Sequence, residues 1–415
     1  MGGRPASVAA RTESLAGVPA GPAADTPVLW LVLHGSAELY GSDRVLLSVM
    51  SALGGDADFR PVVVLDEDGP LRAALHEAGV EVHVGGVTKI RRAMFSPGGL
   101  LRLPGQLAAT AALLDRVAAG RRVALVYSNT LAVLGGAVWA RRRGIPHLWH
   151  VHEILLHPAL VRRGLPRVAS WLSDAVIANS RQTQLWLERE VPALKGHTTV
   201  VFNGLDRPPV ATPQDVAAFR EKVGAGPGDL VATVVGRFNH MKGQPLVVQA
   251  LHRLRATGRD AGLRLALVGD VFAGHRDFRG ECAALAASLG VQDRVTILPF
   301  TRDIGAVWRG SDIALVPSTE PESFGMVAIE AMACARPVLA AGHGGILDIV
   351  EDGVSGLLVP PGDADALAEA LARLAGDASL RQRLGAAGAG RQAERFSLAA
   401  QVAQTRSLGM AVMRR

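Results

Sequence analysis

The sequence predicts an α/β protein built from two Rossmann-like domains whose parallel sheets face each other across a deep interdomain cleft. Three observations lead there. The chain has 415 residues, too many for one ordinary hydrophobic core. Short apolar runs alternate with helical patterns, the mark of βαβ units and parallel sheets. The alternation pauses once, at the Pro-rich stretch DRPPVATPQD (206–215), and then restarts.

In the first half the candidate strands are VLWLVLH (28–34), RPVVVLD (60–66), VEVHVGG (80–86), VALVYSN (123–129), HLWHVHE (147–153), AVIAN (175–179) and TTVVFNG (198–204). Their nearly continuous apolar character fits strands covered on both faces. Helical patterns fill the gaps, as in 43–53 and 100–119. After the break come LVATVVGRF (230–238), LRLALVGD (263–270), RVTILPF (294–300), DIALVPS (312–318) and PVLAAG (337–342). The expected division is a disordered tail over 1–26, a first Rossmann-like domain over 27–205, a linker over 206–226 and a second Rossmann-like domain over 227–395. Tail helices at 365–375, 379–395 and 397–412 are expected to close the second domain, with 396–415 able to pack back on the first.

Composition narrows the function classes. A chain that is 49% hydrophobic and 20% charged is globular rather than disordered. Cys282 and Cys334 have no metal-ligand spacing and read as buried small hydrophobes of a reducing compartment. No run reaches the roughly 18–20 apolar residues of a membrane span, and the first 26 residues have no apolar core of a signal peptide. A cytoplasmic protein is expected. The net charge of +6 falls unevenly, with 21 Lys+Arg against 16 Asp+Glu in residues 1–205. That excess fits a solvated surface, or peripheral contact with anionic lipid at the inner face of a membrane. Nucleic acid is not expected as a partner, because no aromatic residues interleave with the cations.

Chemistry concentrates in the second half. After VVGRF, the loop NHMKG places Arg237 and Lys242 at the carboxyl end of one strand. A planar fork and a point charge together suit a diphosphate. The stretch STEPESFGMVAIEAMA (318–333) starts a helix near Phe324-Gly325, whose free N–H groups add a second anion site. Glu322 precedes that helix and Glu330 lies along it, on the order of 10 Å away at ~1.5 Å per residue. Glu320 reads as a solvated loop acid.

These motifs resemble a bacterial family 4 retaining glycosyltransferase (glycosyl transferases group 1) with the GT-B fold. The resemblance rests on ESFGMVAIE, followed by AMACARPVLA with Ala335 where glycine is usual. It rests also on GRF…KG, on GGILDIVEDGVSGLLVPPGD (344–363) with Asp348 where glutamate is usual, and on HVHE, VIANS and VVFNG. It implies that Arg237 and Lys242 bind the diphosphate of a UDP- or GDP-sugar and that Glu330 binds the ribose. Glu322 and His152 would face the donor sugar, with Ser323, Phe324, Gly325, Gly41 and Ser42 around the donor. Glu322, His152, Arg237 and Lys242 form the expected catalytic set. Glu38, Tyr40, Arg91, Asn129 and His150 are candidates for the acceptor, a glycan, a lipid-linked or a small molecule. Asp43 could instead cap a helix, and His150 could be a core residue. Three Asp-x-Asp triplets (56–58, 66–68, 363–365) read as turns, so no metal or cofactor is expected. An epimerase of the same architecture, a non-catalytic nucleotide-sugar-binding protein and a basic surface-binding protein are the rival readings.

Overall fold

The computed structural model describes residues 27–91, 94, 96–206, 210–260, 262–271 and 276–414. The tail expected over 1–26 lies outside them. Thirteen strands among the described residues form two all-parallel sheets. The first contains β1 (Val28–His34), β2 (Phe59–Leu65), β3 (Glu81–Val84), β4 (Val123–Asn129), β5 (His147–Val151), β6 (Ala175–Ala178) and β7 (Thr198–Val200), in the order β3-β2-β1-β4-β5-β6-β7. The second contains β8 (Leu230–Val235), β9 (Leu263–Val268), β10 (Val295–Leu298), β11 (Ile313–Val316), β12 (Val338–Ala341) and β13 (Gly356–Val359), in the order β10-β9-β8-β11-β12-β13. Twelve of the thirteen coincide with the apolar runs. The exception, β13, has only four residues and follows a Gly-rich turn, so it carries little apolar signal.

Each sheet carries a core on both faces, as its uninterrupted apolar strands require. On the first, Trp30 lies flat against Phe59, ring centroids 3.7 Å apart, among residues such as Met50, Val63 and Leu125. On the second, Val234, Leu265 and Leu315 pack under helices on one face, and Trp308, Phe324 and Ile329 on the other. Cys282 and Cys334 are buried free thiols.

One segment differs from the expected division, and another takes the alternative position allowed for it. The helix Pro213–Val223, within the expected linker, packs Phe219 and Val223 into the second core; a charged surface masked its apolar face. The last helix, Leu398–Met413, does not close the second domain. It crosses to the first, where Val402, Leu408 and Val412 join the core around Trp30, and the Trp30 indole donates to Met413 Sδ at 3.1 Å. Arg406 binds Asp56 and Asp58 there, so one Asp-x-Asp triplet is an anchor for this helix. Among the described residues no helix is long and apolar enough to cross a membrane.

Candidate active site

A cavity of about 430 Å³ lies between the domains, at the carboxyl ends of both sheets. That is where ligands bind in open parallel sheets. Two loops of the second domain build its floor. One runs from Gly236 to Gly243 after β8, where Asn239 Oδ1 accepts from the N–H groups of Met241 (2.9 Å) and Lys242 (3.1 Å) and so fixes the turn. The other follows β11. They are laced together: Thr319 N–H donates to Met241 O at 2.8 Å, and Thr319 Oγ1 to His240 O at 2.7 Å. Gly243, at φ +71°, lies so close that a Cβ would sit 2.0 Å from Pro317 O.

The loops bring the predicted charges together. Lys242 Nζ donates to Glu322 Oε1 at 2.9 Å, and Ser318 Oγ donates to the same oxygen. Burial would raise the Glu322 carboxyl, but Lys242 and Ser318 outweigh it and hold it below the ordinary range. An ammonium has three donors, so Lys242 keeps two for another anion. Arg237 lies over the Tyr40 ring, 4.8 Å from its centroid. Burial lowers its pKa, opposed by Tyr40 and Asp43, and it stays a cation.

The helix Met326–Ala333 starts at Gly325, φ +119°. Its end is a Schellman turn, with Ala335 N–H to Met332 O at 2.8 Å and Arg336 N–H to Ala331 O at 3.0 Å. Ala335, in the family's glycine position, has φ +54°, so the departure from pattern costs backbone strain. Glu330 is 6% exposed. Burial pushes its carboxyl up, partly offset by Arg44 at 3.6 Å and the Trp308 indole N–H at 3.4 Å. Its apolar neighbours Ile329 and Met332 face the core.

The first domain supplies the roof. Gly41 and Ser42 line the cavity with Tyr40, and a Cβ on Gly41 would meet nothing within 4 Å. His152 lines it too, its Nε2 2.8 Å from Asn129 Oδ1. Burial, with His150 and His34 nearby, holds His152 well below the ordinary histidine range. Ser323 joins the domains, accepting from Asn179 Nδ2 and Thr183 Oγ1 at 3.3 Å each. The Phe324 ring is anchored against Phe202 and Phe396, leaving its backbone at the cavity.

Four acceptor candidates lie elsewhere. Asn129 is 1% exposed, with both ends of its amide occupied by His34 and His152. His150 is 1% exposed, bonded through Nδ1 to the Tyr127 hydroxyl and tilted against the His152 ring with centroids 3.9 Å apart; it is a core residue. Glu38 is exposed outside the cavity. Arg91 pairs with Asp66 at 2.7 Å in a second cavity of about 610 Å³ that Thr88, Lys89 and Arg102 also line. Asp43 both caps the helix Gly41–Leu53, accepting from Tyr40 N–H at 3.1 Å, and binds His34. Glu320 is half-exposed, 3.2 Å from His240.

Sequence reasoning missed Arg44, Trp308, Ser318 and Glu153. Glu153 lines the cavity and accepts from the N–H groups of Leu131 and His152. Arg44 could have been found, because it follows the Gly41-Ser42 loop by half a turn. Trp308 could not, since nothing in the sequence pairs it with Glu330. The other Asp-x-Asp triplets are bound as structural acids: Asp66 by Lys89 and Arg91, Asp68 by Arg72, and Asp363 as a helix cap. Among the described residues no group of three His, Cys, Asp or Glu could hold a metal ion.

Two parallel-sheet domains meeting at a cationic, carboxylate-bearing cleft define the GT-B class. The models for Glycosyltransferase Family 4 and for Glycosyl transferases group 1 match residues 41–207 and 215–391, and the chain belongs to glycosyltransferase family 4. It is similar to D-inositol 3-phosphate glycosyltransferases of Stackebrandtia nassauensis (37% identity over 63% of this chain and 62% of the relative) and Xylanimonas cellulosilytica (34%, 71% and 74%). Against the Nocardia farcinica enzyme of that name the chain spans about half the relative's length (35% identity, 51% and 47%). Among solved structures, Anabaena Alr3699/HepE in complex with UDP and glucose matches 92% of this chain and all of that one, at TM-score 0.80 and 26% identity. A glycosyltransferase from Rickettsia africae shares the fold at TM-score 0.78 and 20% identity.

Proposed function

We propose that the protein transfers a sugar from a nucleoside diphosphate to an acceptor hydroxyl with retention of anomeric configuration. The observation that carries this reading is the convergence of Arg237, Lys242, Glu322 and Glu330 with the N-terminus of the helix Met326–Ala333 on one cavity. Breaking the anomeric C–O bond puts negative charge on the departing diphosphate. Arg237, the two remaining Lys242 donors and the helix N–H groups would stabilise that charge. Glu330 would accept the ribose hydroxyls. Glu322, oriented by Lys242 and Ser318, would accept a hydroxyl of the sugar, and His152 would touch the ring from the opposite wall.

Retention through a covalent intermediate needs a free carboxylate beside the anomeric carbon. The acids on the cavity wall are otherwise engaged: Glu322 with Lys242, Glu330 with Trp308 and Arg44, Glu153 with two backbone N–H groups, and Asp270 with Arg279 at 3.1 Å. Same-face attack, with a leaving-group phosphate oxygen taking the acceptor proton, is the reading these engagements support. The chemistry requires no metal, since the diphosphate already meets two cations. UDP is the preferred base, by analogy with the Anabaena protein's complex. A polyol phosphate is the first acceptor to test, by analogy with the relatives' names.

A membrane-borne acceptor is the alternative class. The helix Ala159–Leu172 has no acid, and exposes Leu160 (69%) and Trp171 (80%) in one stripe with Arg163 and Arg167. This combination is complementary to an anionic bilayer. One experiment tests the reading: incubation with UDP-sugars and inositol phosphates, or lipid-linked acceptors in anionic vesicles, followed by NMR of the product's anomeric proton. A retained configuration, with loss of about 100-fold or more in rate on Glu322→Ala, is expected. Inversion, turnover of the donor to an epimer without acceptor, or full rate in the variant would refute it.

A further inference from the structure

We propose that Asn129 and His34, backed by Asp43, fix which ring nitrogen of His152 carries its proton, so that His152 offers a bare Nδ1 to the ligand. The inference rests on the reading that His152 faces the donor sugar. Four side chains form one chain of contacts leading away from the cavity. His152 Nε2 is 2.8 Å from Asn129 Oδ1, Asn129 Nδ2 is 3.0 Å from His34 Nδ1, and His34 Nε2 is 2.7 Å from Asp43 Oδ1. His34, Asn129 and Asp43 are 0, 1 and 4% exposed, so water does not compete for these bonds.

The proton positions follow from what each group can do. An ionised carboxylate only accepts. Asp43 already takes the Tyr40 N–H at 3.1 Å and the Ser36 hydroxyl at 3.4 Å, so His34 Nε2 donates to it. A neutral His34 then has a bare Nδ1, which accepts from the amide nitrogen of Asn129. An amide has one donor end and one acceptor end. Its oxygen therefore faces His152, and Nε2 of that ring must carry the proton. On Nδ1, which is left bare, no hydrogen bond falls among the described residues. A bare nitrogen accepts a sugar hydroxyl and points its lone pair toward charge developing on the ring, which an N–H at the same place would oppose.

The opposite arrangement is also self-consistent and gives the test its contrast. If His34 were an imidazolium, its Nδ1–H would donate to the main-chain carbonyl of Asn129, 3.1 Å away, and would face the amide nitrogen of that residue at 3.0 Å, donor against donor. The amide would turn over, and His152 would carry its proton on Nδ1. That state buries a full cation at a residue of 0% exposure, with the desolvation such burial carries. The neutral state avoids this charge and gives the Asn129 amide nitrogen an acceptor in His34 Nδ1. Thr130, next in the chain, has φ +110°, an outlier for a β-branched residue. Its N–H donates to His150 O at 2.9 Å and its carbonyl accepts from the Trp149 indole at 2.7 Å, which pins the backbone beside Asn129.

The test is ¹⁵N NMR of imidazole-labelled protein, in the wild type, Asn129→Leu and Asn129→Asp. Leucine keeps the shape and removes both ends of the amide. Aspartate keeps an acceptor toward His152. We expect the Nε2–H tautomer in the wild type and in Asn129→Asp, and a tautomer mixture in Asn129→Leu. Transfer by Asn129→Leu should lose about 10- to 100-fold in kcat, with little change in donor KM. A wild-type His152 protonated on Nδ1 overturns the proposal, as does an unchanged His152 spectrum in a folded Asn129→Leu. If Asn129→Leu does not fold, the wild-type and Asn129→Asp spectra decide alone. If no transfer activity exists, the functional reading fails while the spectra still decide this one.

Discussion

At the residue scale, the site is defined by side chains whose burial would be costly without their partners. Glu322 has Lys242 and Ser318, and Glu330 has Trp308 and Arg44. The histidines of β5 have less. Among the described residues, His147 donates or accepts once, with Ser128, and its Nδ1 has no partner; His150 has Tyr127, and its Nε2 has none. Burial pushes both down to about 3, and pushes His152 well down as well. The consequence for stability has a definite sign. Above the ordinary 6.5 all three are neutral folded or unfolded. Below it the unfolded chain binds protons that the folded one refuses, so stability falls as pH drops from 6.5 toward about 3. Each histidine contributes up to about 1.4 kcal/mol per pH unit in that window. Denaturant titrations at pH 7.5 and 5.5 should show a clear loss at the lower pH, and His147→Gln should reduce the loss by roughly a third. A stability unchanged between these two values would contradict the burial argument.

At the element scale, what was legible in the sequence and what was not separate cleanly. Strands announced themselves by unbroken apolar runs, which only burial on both faces explains. Their ends did not. The runs HVHE, VFNG and VVGRF extend two to four residues beyond the ends of β5, β7 and β8. Those extra residues leave the sheet to line the cavity, as His152, Asn203 and Arg237 do. The same ambiguity put Asn129 among the ligand contacts, when it closes β4 and points to two histidines. The helix Met326–Ala333 was legible from its paired glutamates, but its C-terminal strain was not. Ala335 at φ +54° carries about 1–2 kcal/mol of left-handed strain, more than the entropy an alanine saves in the unfolded chain, about 0.4–1 kcal/mol. Ala335→Gly should therefore raise the melting temperature. A melting temperature lowered by the substitution would show that the turn tolerates a Cβ freely.

At the scale of the whole molecule, the two domains are joined by contacts that are also the walls of the site. Arg237 rests on Tyr40, Glu330 meets Arg44, and Ser323 meets Asn179 and Thr183. The carboxyl-end geometry of both sheets leaves one place for a ligand that spans the domains. The facing of the two sheets was legible in the sequence, but the contacts of Arg237 with Tyr40 and of Glu330 with Arg44 were not, because residues 40–44 and 237–330 share no periodicity.

The central claim is that Arg237 and Lys242 recognise a diphosphate, and comparing UDP with UMP by calorimetric titration tests it most directly. The account predicts that the wild-type protein binds UDP at least tenfold more tightly than UMP, about 1.4 kcal/mol or more. Lys242→Ala should remove most of that difference while leaving UMP affinity nearly unchanged. Equal affinity for UDP and UMP in the wild type, or a preference for UDP that survives Lys242→Ala in full, would contradict it.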